Sequence, residues 1–306
     1  MIPSFPNFKR LDLQDKGDIQ KITRKFQPHS DYNFSSLWSY NTEDDIEISK
    51  LHDNLVVKFR DYLTNEPFLS FLGNRQIVDT ASSLLDYAKK NKLKTQLALI
   101  SEESITSSPK LHKHFLIVED RDNHDYILSL EEQTNLLGNK FHRHRKQIAK
   151  FHKVYPESIF EVLELKKAKV RKQLINLFLD WQEIKKESDK EIKHELVAFK
   201  RLLDSYGSLN LVAFGLYQKS KLISFLIVDT EYPGYAESHF YKTHSSYPGA
   251  NRAMRRFSSK YLYDLGLKYL NIEQDMGKEG LRFAKIHWKP IRFLKKYTIS
   301  EKPKTR

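Results

Sequence analysis

The chain has 306 residues, 40% hydrophobic and 12% aromatic, enough for two ordinary domains with real cores. Cysteine is absent, which excludes a disulfide framework and thiolate metal sites. The formal net charge of +13 is uneven: residues 1–137 hold 17 Lys and Arg against 21 Asp and Glu, and residues 138–306 hold 35 against 18. So basic a second half predicts an anionic partner, whether nucleic acid, a phosphorylated cofactor or an acidic membrane; a Lys-rich solubilising surface is the alternative. No apolar run approaches the roughly 20 residues that span a bilayer. MIPSFPNFKR lacks the apolar core of a signal peptide, so a cytoplasmic chain is expected.

In chain order, IEISKLHDNLVVKFRD (46–61) predicts a hairpin turning at HDN, and PFLSFLG (67–73) a strand ending at glycine. RQIVDTASSLLDYAKK (75–90) carries Ile77, Val78, Ala81, Leu84, Leu85 and Ala88 at helical spacing. LALISEE opens as a short strand, and HFLIVEDRDNHDYILSL (114–130) is a polar turn between two apolar runs. GNKFHRHRKQIAKFHKVYP (138–156) predicts a basic helix closed by Pro156. A strand (159–165), an amphipathic helix (166–186) and a second helix (190–207) follow. LNLVAFGLYQ, KLISFLIVDT and YAESHFYKTH are three strands, and PGANRAMRRFSSKYLYDLG (248–266) a helix with proline near its start and glycine at its end. KYLNIE is a strand, KEGLRFAKIHW a short helix and IRFLKKYTI a last strand.

The second-half order, β-α-α-β-β-β-α-β-α-β, resembles the N-acetyltransferase (GNAT) fold, and the first half repeats it loosely. The reading is α/β (α+β): two tandem GNAT-like domains, each a mixed, largely antiparallel sheet flanked by helices. The divisions are an N-terminal domain (1–137), a basic linking helix (138–157) and a C-terminal domain (158–306) carrying the active site.

NIEQDMGKEGLRFAKIHWKP (271–290) places polar groups where a strand hands over to a helix, the end at which α/β folds gather ligands. Strand alternation, if continued, puts Asn271, Glu273 and Asp275 on one side. Gly277 and Gly280 allow tight bending, and Arg282 and Lys285 share a helix face. A carboxylate here would position an incoming amine or hydroxyl or take its proton. The cations would hold a phosphate or stabilise an oxyanion. The alternative is a buried salt-bridge network fixing the junction. His239 is a candidate base on the strand run with Tyr241 and Lys242; a core histidine is the alternative.

Gly249, Asn251 and Arg252 open a helix after a strand, a ready anion site, although one glycine is a weak phosphate signature. Arg252, Arg255 and Arg256 there oppose the helix dipole unless an anion binds. Arg143, Arg145 and Lys146, with Lys140, Lys150 and Lys153, put six cations in fourteen residues, which points to phosphate-backbone contact; a solvated face linking the two domains is the alternative. His142 and His144 are two apart, wrong for a helical metal pair, so no metal is expected. Trp38, Trp181 and Trp288 are expected in the core.

NIEQDMGKEGLRFAKIHWKP, preceded by GANRAMRRFSSKYL, resembles the C-terminal catalytic domain of phosphatidylglycerol lysyltransferase and its free-standing bacterial relatives. GNKFHRHRKQIAKF and SHFYKTHSSYPGAN are similar to further segments of that family, and the likeness runs from SDYNFSSLW (30–38) onward. The resemblance implies transfer of an aminoacyl group from charged tRNA to a lipid head group or another small hydroxyl or amine acceptor, with Asp275 and Arg282 foremost in the site. Characterised relatives carry a large transmembrane region that this chain lacks, which leaves the lipid acceptor open. No tightly bound cofactor is expected; the donor is aminoacyl-tRNA or acyl-coenzyme A. Two rival readings are an acyl-coenzyme-A-dependent N-acyltransferase and a non-catalytic protein that binds RNA or an anionic membrane surface.

Overall fold

The computed structural model describes residues 1–61, 64, 66–185 and 189–303. Two compact units form. The first comprises Met1–Asp125, Gln274–Arg282 and Phe293–Arg306, and the second Tyr126–Glu273 and Phe283–Arg292.

The first unit begins with β1 (Lys9–Arg10), α1 (Lys16–Thr23) and α2 (Phe34–Ser39), three short elements without a clear period in the sequence. The expected hairpin is β2 (Glu47–Leu51) and β3 (Asn54–Arg60), turned at His52 and Asp53, both with positive φ. β4 (Pro67–Leu72), α3 (Ile77–Lys90), β5 (Gln96–Ser101), α4 (Glu102–Thr106), α5 (Leu111–His114) and β6 (Phe115–Glu119) follow. The apolar stripe of α3 lies on the sheet, with Ile77, Ala81, Leu84, Leu85 and Ala88 buried against Val56, Leu69, Phe71 and Leu97.

The second unit runs β7 (Asp125–Ser129), α6 (Leu130–Asn135), α7 (His142–Val154), β8 (Ser158–Leu163), α8 (Ala168–Lys185), α9 (Asp189–Asp204), β9 (Leu211–Gln218), β10 (Lys221–Asp229), β11 (Tyr235–Thr243), α10 (Ala250–Asp264) and β12 (Tyr269–Asn271). Lys186, the expected end of the first helix here, lies outside the described residues. From β8 the elements follow the GNAT-like order expected. Phe199 stacks on Phe178 and Phe225 at 5.1 and 5.2 Å and meets Phe240 at 5.0 Å, tying the helices to the sheet. α11 (Glu279–His287), β13 (Arg292–Leu294) and β14 (Lys296–Glu301) end the chain.

Two seven-stranded sheets result, in the orders β1-β2-β3-β4-β5-β14-β6 and β13-β7-β12-β11-β10-β9-β8. Each contains a parallel pair, β4 with β5 and β11 with β12, among antiparallel neighbours. Read from β1 and from β8, the two sheets share one plan, and each takes its sixth strand from the other half of the sequence. The division at residues 137 and 158 is therefore redrawn. The apolar runs flanking the turn at 120–124 enter different sheets as β6 and β7, and the expected single strand IRFLKKYTI is two, β13 in one sheet and β14 in the other.

β14 is anchored by charge. Lys296 is fully buried; its Nζ donates to Asp125 Oδ1 at 2.8 Å and pairs with Asp31. Ser30 Oγ donates to the same Asp125 oxygen, Oδ1, at 2.6 Å, and the Ser30 N–H to Oδ2 at 2.8 Å. Burial, partly offset by Lys296, pushes the Asp31 carboxyl up to about 6. Replacing Lys296 by Met leaves two buried carboxylates without their cation, and should cost about 3–5 kcal/mol in chemical denaturation. Adding Asp125→Asn should recover part of that loss; equal stability of K296M and wild type would contradict this account.

Two buried histidines give a pH dependence. Burial pushes His29 and His144 down to about 4, each from an ordinary value near 6.5. The unfolded chain therefore binds more protons than the folded one between those values, so stability is complete above pH 6.5 and falls as pH drops toward 4. Thermal melts across that range should show the decline, weakened in His144→Phe.

Candidate active site

β11 and β12 pair in parallel at only three positions, Tyr235 with Tyr269 through Glu237 with Asn271. β11 then runs on while β12 stops, so the parallel strands part at their carboxyl ends, where ligands gather in α/β sheets. Pairing of β10 with β11 skips from Phe240 to Ser238, a bulge at His239. Bulges re-aim a side chain beside such openings. The matching opening in the first sheet is filled: Tyr32 is fully buried and its hydroxyl lies 2.5 Å from Ser70 Oγ on β4.

Three side chains meet at the open fork. His239 Nδ1 lies 3.4 Å from Glu273 Oε1 and 3.9 Å from Glu237 Oε1. His239 and Glu237 are buried, and Glu273 is 21% exposed. Glu273 reaches this position because its backbone is left-handed, φ 59°, with its N–H donating to Asn271 Oδ1 at 2.7 Å. Asn271 is itself fully buried. Glu237 escaped the sequence reading, although strand alternation from His239 points to it.

Alternation does not continue past Asn271, so Asn271, Glu273 and Asp275 do not share one side. The left-handed residues Glu273, Met276 and Gly277 turn the chain, and Asp275 belongs to the first unit. Asp275 is fully buried, and Arg282 grips it with two bonds, Nε to Oδ2 at 3.0 Å and Nη2 to Oδ1 at 2.8 Å. Gly277 N–H donates to Oδ1 at 2.9 Å, and Arg121 Nη1 stands 3.5 Å from Oδ2. Arg282 also donates to Asp122 at 2.6 Å, and its carboxylate partners hold the guanidinium above its usual range. This is the buried salt-bridge network that the sequence left as an alternative. At Gly277 a Cβ would sit 2.9 Å from Asp122 Oδ2, on a backbone of φ 72°, so glycine is required there. Gly280 has open space around it.

The start of α10 is built differently from an open phosphate cradle. Gly249 has φ 92°, and a Cβ on it would meet the Gln147 carbonyl of α7 at 2.7 Å. The N–H groups of Ala250, Arg252 and Ala253 donate to Tyr247 and Gly249 carbonyls. The Asn251 carbonyl accepts from the Tyr241 hydroxyl, and Arg252 Nε donates to Gln147. The cations lie one turn further on. Arg255 is buried, with its guanidinium 4.7 Å from the Tyr241 ring and 5.2 Å from the Trp288 ring. Arg252 stands 5.1 Å from the same indole. Arg255 Nε and Nη1 and Arg252 Nη1 are buried and donate to no atom among the described residues. Trp288 is buried as expected, and its indole also meets two guanidiniums.

The other expected residues are spread over the second unit. Arg143 and Lys146 are exposed on α7, while Arg145 Nη1 donates to the carbonyls of Leu136 and of Gly138, the latter at 2.9 Å, and so closes the end of α6. Lys242 pairs with Glu195 at 2.7 Å and lies 3.7 Å over the Trp181 ring. Lys285 donates to the Ile272 carbonyl.

The family "Phosphatidylglycerol lysyltransferase, C-terminal" matches residues 23–300, and the chain belongs to it. Membership supports a transferase. A conserved protein of unknown function from Bacteroides thetaiotaomicron is similar at 25% identity and a TM-score of 0.84, over 99% of this chain and 100% of that one. The C-terminal domain of a putative lysylphosphatidylglycerol synthetase from Agrobacterium fabrum shares the fold at 12% identity (TM-score 0.66; 95% of this chain and 92% of that one). L-PGS from Bacillus licheniformis shares it at 14% identity (TM-score 0.65; 97% and 94%). Comparison with curated proteins finds no match. Among the described residues no helix is long and apolar enough to cross a membrane.

Asp275→Asn should cost roughly 3 kcal/mol of stability by leaving Arg121 and Arg282 without their buried anion. Gly277→Ala should destabilise through both clash and φ, by about 1–3 kcal/mol. Thermal unfolding of the two variants tests this, and wild-type melting of Asp275→Asn would return that residue to the list of reacting groups.

Proposed function

We propose that the protein transfers an aminoacyl group from aminoacyl-tRNA to the hydroxyl or amine of a small acceptor, a lipid head group foremost. The observation that carries this reading is the Glu273–His239 pair at the open end of β11 and β12. Glu273 holds the imidazole through Nδ1, and Nε2 takes the proton of the acceptor hydroxyl as its oxygen attacks the ester carbonyl. The tetrahedral intermediate then collapses, the ester C–O bond breaks, and the same imidazole returns the proton to the leaving ribose hydroxyl. No covalent enzyme intermediate is needed, which suits a chain without cysteine.

Arg252 and Arg255 would take a phosphate of the donor's 3′ end, supplying the anion their free N–H groups lack. The exposed Arg143, Lys146, Lys150 and Lys153 of α7 would meet the tRNA backbone. Against an acyl-coenzyme A donor stands the turn at Gly249, where the Ala250, Arg252 and Ala253 amides are already engaged and whose close side is packed on α7.

The test is binding of charged tRNA and of acetyl-coenzyme A to the purified protein across a salt series, with aminoacyl transfer to phosphatidylglycerol as the activity assay. Binding to tRNA through about six phosphates should give a log–log salt slope near −4. Glu273→Gln should keep tRNA binding and lose turnover about 10²-fold or more. Saturable coenzyme A binding with no tRNA binding would replace this reading with the acyltransferase one.

A further inference from the structure

The fork between β11 and β12 holds more than a proton relay requires. A base and its orienting carboxylate are two groups, and here there are three: Glu237, His239 and Glu273 each turn one ligand atom inward, and the three atoms lie within 4.8 Å of one another. Their separations of 3.4 and 3.9 Å from His239 Nδ1 are close to those of ligands that share one ion. Donor atoms about 2.0–2.2 Å from a first-row divalent ion stand roughly 3.0–3.6 Å apart, so the two edges from His239 need to close by at most a few tenths of an ångström, and the carboxylate–carboxylate edge, no longer than 4.8 Å, by up to about 1 Å.

The surroundings are those of a supported ligand set. The imidazole is fully buried, Glu237 is 3% exposed, and the more open Glu273 faces the fork. Asn271, fully buried, bonds the Glu273 N–H at 2.7 Å and so fixes the backbone from which that carboxylate projects. Groups behind ligands hold them in orientation in this way.

We infer that Glu237, His239 and Glu273 bind one divalent transition-metal ion, Zn2+ in the first place and Mn2+ as the second probe. One nitrogen and two carboxylate oxygens suit both ions, and three protein ligands leave a position open for an exchangeable oxygen. The inference builds on the reading of this fork as the reaction centre. The open position would receive the acceptor's oxygen and lower the pKa of that hydroxyl. With Nδ1 on the ion, Nε2 keeps its proton, so the proton of the ion-bound hydroxyl would pass to solvent, and the relay proposed above describes the ion-free site.

The experiment reads binding without activity. Chelator-stripped protein is dialysed against ZnCl2 and MnCl2, and bound ion is counted by mass spectrometry for wild type, Glu273→Gln, His239→Gln and the surface control His152→Ala. One ion per chain is expected in wild type and in the control, with affinity at least about tenfold weaker in the two fork variants. The absorption spectrum of the Co2+-loaded wild type gives a reading that needs no variant, and should show nitrogen and oxygen ligation. Absence of stoichiometric binding at millimolar ion, or binding lost in the control and kept in the fork variants, would overturn the inference. Transfer activity that resists chelation while Glu273→Gln abolishes it sinks the metal and leaves the transfer reading standing. A bound ion with no aminoacyl transfer does the reverse.

Discussion

A carboxylate cut off from water has to be neutralised where it lies, and Asp275 meets that demand through Arg282, Arg121 and the Gly277 amide. Those bonds hold residues 274–282 in the first unit, although the residues on either side belong to the second. The chain leaves β12, turns left-handed at Glu273, and commits Asp275 to structure within two residues. Within the second unit, Asn271 Oδ1 takes the Glu273 N–H at 2.7 Å and so fixes the backbone from which Glu273 faces His239. The carboxylate proposed to take part in the reaction and the structural one lie two residues apart in sequence.

Most of the regular elements were legible. α3, α10 and the hairpin at 47–60 carry the periods and turn residues their conformations need, and the order from β8 onward declared itself. The exchange of sixth strands was not legible. IRFLKKYTI contains no breaker, and Lys296 looks like a solvent-facing strand residue; its partner Asp125 lies 171 residues away. At the site, the sequence puts Asp275 and Arg282 foremost and leaves His239 open between a base and a core histidine, whereas the structure sets Asp275 in an ion pair and Glu273 beside His239. Only burial and the two-pronged Arg282 contact separate the two carboxylates, and neither is a property of local sequence. The same applies to Gly249, which reads as a phosphate turn and serves as a packing point against Gln147.

The two sheets repeat one plan and differ in what fills the fork of their parallel pair. In the first, Tyr32 occupies it and satisfies its hydroxyl on Ser70. In the second, an imidazole and two carboxylates meet there, of which Glu273 alone is part-exposed. One scaffold thus supplies a plugged copy and an open one, and the basic charge accompanies the open one: α7 and α10, with their exposed and buried cations, both belong to the second unit.

The placement of β14 bears on how the protein is made. It is the last strand of the chain, yet it lies inside the first sheet, between β5 and β6. On the ribosome, β5 and β6 must wait for about 180 further residues before their shared partner emerges, some 10–35 s at ordinary elongation rates. Until then their edges are unpaired and the buried Asp125 has no Lys296. The first unit therefore cannot finish as synthesis proceeds from its own end; it closes only after the second unit's strands have been made.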